Sequence, residues 1–395
     1  MQKFVIHNGQ IITPFRIIPK GTVEVTENKI TAIYEGEAKK TDNAILIDAK
    51  GQYISPGFID IHVHGGGGHD FMDGEVEGFL KIAELHAQYG TTAMLPTTLT
   101  GGKEDLLNTL EVYEQALKIN DKGAEFLGLH LEGPYFAMSQ RGAQDPRYIR
   151  NPDPAEYREI LQKSKHIVRW SAAPELEGAM EFGRYMLKNN VLPAIAHTDA
   201  IYEEVVEAVE NGYSLSTHLY SGMSGVSRRN AFRYAGVIES SLLMDELDVE
   251  IIADGIHLPS PLLKLIYKVK GPHKIALITD AMRAAGKPSG ESILGHKKHG
   301  LKVIVEDGVA KLPDRSAFAG SVATADRLVR TMVKMGDVPL LDAILMMTNT
   351  PARIMGIDHK KGSLSIGKDA DIVIFDQNIQ IQETIVGGKR VYSAS

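Results

Sequence analysis

The chain has 395 residues, 43% hydrophobic and 24% charged, an ordinary globular composition that can bury a large α/β barrel core with an accessory piece. A formal net charge of -7, with no basic domain or arm, argues against a nucleic-acid or anionic-membrane partner. The absence of Cys excludes structural disulfides and Cys-ligated zinc, and no run approaches the ~18 apolar residues of a membrane span.

The first segment reads as β structure. FVIHNGQIITP predicts strand, turn and strand about Asn8-Gly9. GTVEVTENKITAIYEG repeats the pattern with its turn at 27–29, and ILIDAKGQYISPG adds another strand and turn. In FIDIHVHGGG, residues 58–67, alternate side chains share a face of a strand. Ile59, Ile61 and Val63 are expected on one face, and Asp60, His62 and His64 on the other. Gly65 to Gly68 match no phosphate-loop pattern; they suit close backbone approach and an open loop above a site.

Strands and helices then alternate. EDLLNTLEVYEQALK puts Leu106, Leu110, Tyr113 and Leu117 on one helical stripe. AIYEEVVEAVENG stops at Gly212, and SPLLKLIYKVKG runs from Pro261 to Gly271. Between helices lie eight short apolar runs with polar ends: FIDIHVH, TTAMLPTT, FLGLHLEGP, IVRWSAAPE, VLPAIAHTD, YSLSTHLYS, VEIIADGIH and KIALITDAM. This predicts a (β/α)₈ TIM barrel over 56–359. ADIVIFD and IQETIVGGKRVYS return to β style, so 1–55 plus 360–395 are expected to form one small β-sandwich domain. MQKFVIHNGQ has no apolar signal core, and the expected location is the cytoplasm.

In such barrels the site lies at the C-terminal strand ends. Those ends carry His62, His64, Glu132, His197, His218, Asp254 with nearby His257, and Asp280. Imidazole with carboxylate suits Zn²⁺ or Fe²⁺. An H-x-H pair alone is a weak sign, because two hydrogen-bonded histidines at a strand end are commoner. Ligand-type residues at the ends of several separate strands are hard to explain as packing and point to a metal site. The other histidines read as structural: His86 on a helix surface, His296, His299 and His359 solvated, His130 a buried neighbour of the ligands. His69 and Asp70 belong to a loop, and SGMSG lacks the spacing of a nucleophile elbow.

The segments PGFIDIHVHG, GLHLEGPY, AHTDA, THLYSGM, ADGIHL, LITDAM, AGS at 319–321 and TNTPARIMGI followed by KGSLSIGKDADIVIFD span almost the whole chain. With them the sequence resembles the amidohydrolase superfamily and, within it, the N-acetylglucosamine-6-phosphate deacetylase family. Many amidohydrolases carry a bridging Lys after the fourth strand; here that strand ends SAAPE, and Glu132 matches the carboxylate that replaces it. The resemblance implies that Glu132, His197 and His218 hold the main metal, Zn²⁺ before Fe²⁺. It implies that His62 and His64 allow a second ion, that Asp280 is the catalytic carboxylate, and that His257 contacts the substrate carbonyl or a sugar hydroxyl. It further implies a homodimer acting on an amino-sugar phosphate, with a phosphate-binding Arg from the partner.

The departures fall at substrate contacts. Ser221-Gly222 stand where the family has Asn-Ala, Gln144 stands where many members have His, and SGVSRRNAFRYAG replaces the usual Arg-Glu-Pro-Gly segment. Arg229, then Arg228, are the candidates for phosphate. The competing expectations are an epimeric or unphosphorylated N-acetyl amino sugar, a cyclic amide or N-acyl amino acid, and a non-catalytic relative.

Overall fold

The structure is a computed structural model in which residues 3–38 and 44–394 are described. Its barrel strands are Phe58–Val63, Thr91–Thr98, Leu129–Glu132, Ile167–Ala172, Leu192–Ile195, Leu215–Ser216, Asp248–Ile251 and Ile275–Leu277. Each pairs in parallel with its sequence neighbour, and helices fill the connections. The ring closes at the site end. Asp280 N–H donates to the His62 carbonyl and His64 N–H to the Ala281 carbonyl, both at 2.9 Å. All eight predicted strands are present, and the fold is a TIM barrel with a terminal β-sandwich.

The first strand departs from simple alternation. Ile59 and Ile61 pack with Ala93, Leu95, Ala194, Leu215 and Ala276, whereas Val63 joins the larger cluster shared with the helices. The cause is a register shift between Asp60 and Val63 against the second strand. An extra residue there changes which face the following side chains take. Asp60, expected beside the histidines, instead accepts from the Thr279 hydroxyl at 2.5 Å.

Both termini supply an eight-stranded sheet with its own core, including Phe4, Ile6, Val23, Ile54, Ile372 and Ile385. Its order runs from Lys389–Ser393 through Ile381–Val386, Ile372–Phe375, Tyr53–Pro56 and Lys3–Ile12 to Ile17–Thr26 and Lys29–Glu35. Strand Lys3–Ile12 also pairs in parallel with Ile45–Asp48, so the sheet divides there and curls around its core. The expected turn at Asn8-Gly9 is not a turn. Strand Lys3–Ile12 runs through it, with Asn8 at φ +55 and the register shifted on both sides of Gly9. A dipeptide suited to a hairpin also suits a bulge, because both need left-handed backbone.

Two insertions interrupt the barrel repeat. The hairpin Ser227–Arg229 with Phe232–Tyr234 follows the sixth strand. An unpredicted antiparallel sheet, Gly290–Leu294, Leu301–Glu306 and Val309–Lys311, follows the eighth and packs through Leu294, Val303 and Val305 on Met282 and Ala319.

Candidate metal centre and active site

The strand ends bring His62, His64, Glu132, His197, His218 and Asp280 together, all buried. His197, His218 and Asp280 have φ of +47, +34 and +48, where a side chain with a Cβ is uncommon and costs ~1–3 kcal/mol. Backbone bonds hold two of these bends. Asp280 C=O accepts from Ser321 N–H at 2.7 Å, and His197 C=O accepts from Ala137 N–H at 2.9 Å. Gly222 fits under His197 because it lacks a Cβ: at φ +57, a Cβ there would stand 2.7 Å from His197 Nδ1 and 2.8 Å from the Gln140 carbonyl.

The outer hydrogen bonds set the imidazole tautomers. His197 Nδ1 meets the Gln140 carbonyl at 2.8 Å, and His64 Nδ1 meets the Thr97 carbonyl at 3.2 Å. A carbonyl only accepts, so both rings carry a proton on Nδ1. In a neutral ring the lone pair is then on Nε2. His197 Nε2 lies 3.3 Å from Glu132 Oε1; His64 Nε2 lies 3.0 Å from Asp280 Oδ1, 3.4 Å from Glu132 Oε2 and 3.2 Å from His62 Nε2. His218 Nε2 lies 2.9 Å from Glu132 Oε1. Lone pairs of nitrogen and carboxylate oxygen converge on one another, an arrangement that repels itself unless a cation lies among them. Two groups meet the spacing for an ion: Glu132, His197 and His218, and His62, His64 and Asp280. The residues therefore fit one or two divalent ions with nitrogen and oxygen ligands.

In the chain alone, ring protons take the place of the cation. Burial alone would raise Glu132, yet His62, His197, His218 and His64 hold it well below the usual carboxylate range. Asp280 is likewise lowered, burial being outweighed by His62 and His64. Burial depresses His62, and it would depress His64 too, but Asp280 and Glu132 push His64 well above the ordinary imidazole value. Behind these side chains, Arg169 and Glu250 form a fully buried ion pair, with Arg169 Nη2 2.8 Å from Glu250 Oε2 and from Thr217 Oγ1. Glu250 Oε2 lies 3.6 Å from His62 Nδ1. His130 meets Ser171 Oγ at 2.7 Å and Thr97 Oγ1 at 3.3 Å, and its ring stands 4.7 Å from that of His62.

A cavity of about 280 Å³ opens over these groups. His64, Glu132, His197, His218, His257 and Asp280 line it, together with Gln144, Ser221 and Gly222. Gln144 bonds to the centre: its Nε2 donates to Glu132 Oε2 at 2.7 Å, while its Oε1 accepts from Thr100 N–H at 3.0 Å. His257 Nδ1 lies 2.8 Å from Asp254 Oδ2, and Asp254 also accepts from the backbone N–H of Ile256 and His257. Burial would raise Asp254, but His257 lowers it.

Arg228 and Arg229 lie outside the cavity lining, on the exposed strand Ser227–Arg229 of the hairpin. Sequence reading missed Leu99, Ala143, Tyr220, Leu294 and Phe318 among the wall residues; the Phe318 ring stands 4.5 Å from that of His257. Leu294 and Phe318 come from the inserted sheet and the loop beyond it, whose pattern gives no hint of which strand end they cover. His86 is a correction: it is buried, and its Nε2 lies 2.9 Å from the Gly65 carbonyl. Of the glycines after His64, Gly65 and Gly66 make the expected close backbone approach and are buried, while Gly68 is exposed. Gly65 and Gly66 pair with Asp70 and His69, and a Cβ on Gly65 would stand 2.3 Å from the His69 carbonyl oxygen.

Sequence and structure comparisons agree with this geometry. The sequence model of the amidohydrolase family matches residues 53–391. The chain is 34% identical over 348 residues, 87% of its length and 86% of the relative's, to N-acetylglucosamine-6-phosphate deacetylase of Lysinibacillus sphaericus. It is also 34% identical over 339 residues, 86% of its length and 87% of the relative's, to N-acetylgalactosamine-6-phosphate deacetylase of Escherichia coli O157:H7. The crystal structure of N-acetylglucosamine-6-phosphate deacetylase from Pasteurella multocida superposes with a TM-score of 0.92 at 28% identity, covering 99% of this chain and 100% of that one.

Proposed function

The chain belongs to the amidohydrolase family, and we propose that it removes the N-acetyl group of an amino-sugar 6-phosphate, N-acetylglucosamine 6-phosphate first, releasing acetate. The observation that carries this reading is the convergence of Glu132, His197 and His218 beside Asp280 at the floor of one cavity. The family implies a divalent metal, and two groups of side chains fit one. In this reading Glu132, His197 and His218 hold the principal ion, Zn²⁺ before Fe²⁺, and His62 with His64 hold a second. Bound there, the metal supplies a Lewis acid for the amide carbonyl and lowers the pKa of water from ~15.7 toward ~7.

The side chains do the rest. Asp280, kept ionised by His62 and His64, accepts the proton of the attacking water and delivers it to the departing amine nitrogen. Gln144 steadies Glu132 through the 2.7 Å bond to its Oε2. His257 donates Nδ1–H to Asp254, so in the neutral ring Nε2 accepts from a sugar hydroxyl, and only with both nitrogens protonated does it donate to the carbonyl oxygen. Ser221 and Gly222 border the sugar. Leu99, Ala143, Leu294 and Phe318 give the cavity its apolar walls, which limit water.

Phosphate falls to Arg229, with Arg228 next, whose planar forks match it. Both are exposed on a hairpin that also exposes Phe232, which suits a homodimer in which this hairpin reaches the partner's cavity. A Cys-free chain in which no described helix is long and apolar enough to cross a membrane suits the cytoplasm. The second reading is the galacto epimer, favoured by the equal identity to a deacetylase named for it.

The test is acetate release by metal-loaded protein from the 6-phosphates of N-acetylglucosamine and N-acetylgalactosamine and from both unphosphorylated sugars. Turnover of the gluco phosphate alone is the expected result. Preference for the galacto phosphate reassigns the epimer, and equal rates without phosphate remove the arginine role. No release from any of them overturns the reading in favour of a cyclic amide or N-acyl amino acid.

A further inference from the structure

A second group of metal-type ligands lies outside the strand-end cluster. The connection between strands Gly290–Leu294 and Leu301–Glu306 carries the H-x-x-H of His296 and His299. Their turn is helical: the N–H groups of His299 and Gly300 both donate to the His296 carbonyl, at 3.3 and 2.7 Å. That pitch stacks the imidazoles, with centroids 4.0 Å apart and planes 15° apart. Facing them is Asp105, in the first turn of helix Lys103–Ile119, with its Oδ2 2.8 Å from His299 Nε2. One ligand atom from each of the three lies within 4.8 Å of the others.

We propose that Asp105, His296 and His299 form a separate site for a divalent ion of the Zn²⁺ class, with three protein ligands and one open position. Two imidazoles and one carboxylate suit Zn²⁺ and disfavour Mg²⁺ and Ca²⁺, which take oxygen ligands. The chain's own charges bear on affinity. Lys297 is engaged by Glu75, and Lys298 is exposed beside the turn. Binding also costs His296 the 3.1 Å contact from Lys298 N–H to its Nδ1. The ion either takes that nitrogen, or takes Nε2 and moves the ring proton to Nδ1.

The position gives the site a consequence. These three side chains edge a small cavity of about 40 Å³ that shares Leu99, Ala143, Gln144 and Leu294 with the catalytic one. An ion here ties the inserted sheet to the barrel beside the catalytic wall formed by Leu294. It does so without touching Glu132 or the strand-end histidines.

The test counts ions. Metal-loaded enzyme, freed of excess by desalting, is dialysed to equilibrium against rising Zn²⁺. Wild type is expected to take up one ion per chain beyond those it retains. The double variant His296→Ala with His299→Ala should lack this uptake while keeping the retained ions and the wild-type near-ultraviolet circular dichroism. Asp105→Asn should weaken uptake by at least the ~10-fold that loss of an outer-sphere partner costs a metal site. Should the double variant not fold, His299→Gln alone is read in the same way. Equal uptake by wild type and variant, or no uptake by wild type, overturns the proposal. Because ions and not acetate are counted, failure of the deacetylase reading leaves this result intact.

Discussion

Two polar clusters form around Glu125 and Glu132, on the successive strand segments Glu125–Phe126 and Leu129–Glu132, and they solve the same problem in opposite ways. At the joint with the terminal sheet, Glu125, Asp369 and Asp371 surround Lys361, whose Nζ lies 2.7, 3.1 and 2.6 Å from them and whose side chain is 1% exposed. At the other end, Glu132 and Asp280 face four imidazoles and no ammonium or guanidinium within salt-bridge distance among the described residues. Both sets of acids have the spacing of a metal site. Only the first brings its own permanent cation; the second has imidazoles, which can give up a proton and turn Nε2 to an ion. Spacing therefore does not distinguish a staple from a catalytic centre; the source of the positive charge does.

That contrast predicts opposite phenotypes. The largest effect on activity is expected from Asp280→Asn, which should lower kcat by ~10²–10⁴-fold while the protein, by elemental analysis, keeps the ion assigned to Glu132, His197 and His218. Near-wild-type turnover would remove Asp280 from proton transfer. Lys361→Met should instead cost ~3–5 kcal/mol of stability in urea titration, by leaving the buried Asp371 carboxylate without its cation, with kcat little changed. The folded-state pKa of Lys361 is raised: burial would lower it, but Asp371 and Glu125 prevail. Its contribution is therefore complete below the unfolded value of ~10.4 and is lost only as pH rises through the folded one. The wild-type to variant difference should stay flat from pH 7 to about 10.

Metal removal is the next smaller effect. An ion at 100 times its Kd stabilises by ~2.7 kcal/mol, so chelation should lower the urea midpoint of wild type correspondingly. The clusters are seven residues apart along the strand, from Glu125 to Glu132, or ~20 Å. Chelation and Lys361→Met should accordingly add within ~0.5 kcal/mol. A clear departure from additivity would mean that the terminal sheet is coupled to the metal centre.

The legible part of the molecule was its repeating part. Eight apolar runs ending in polar residues identify the barrel because every strand of the fold obeys the same rule, and it collects His62, Glu132, His197, His218 and Asp280 from far apart in sequence. What failed was local and singular. The shift between Asp60 and Val63 breaks a two-residue period that alternation assumes, and Asn8-Gly9 supports a bulge as readily as a turn. His299 is exposed, as its Lys-rich stretch suggests, but nothing in sequence brings Asp105 to it and His296 from about 190 positions away. Phe318 and Leu294 reach the cavity only through an inserted sheet that has no place in the barrel repeat.

His86 gives the smallest of these effects and the sharpest boundary to the comparison. On helix Val76–Gln88 it reads as a surface residue, yet it is buried, and its one hydrogen bond, from Nε2 to the Gly65 carbonyl, holds the turn that follows His64. Burial lowers its pKa, so the ring is neutral and takes no part in either charge cluster. His86→Leu removes one neutral hydrogen bond but also removes an Nδ1 atom that has no partner, so the two terms partly cancel. The expected loss is ~0.5–1.5 kcal/mol in urea titration, below either charged cluster, with retained metal unchanged. If the variant instead sheds metal on desalting, the glycine turn is part of what aims His64, and the catalytic cluster extends to a residue that carries no charge at all.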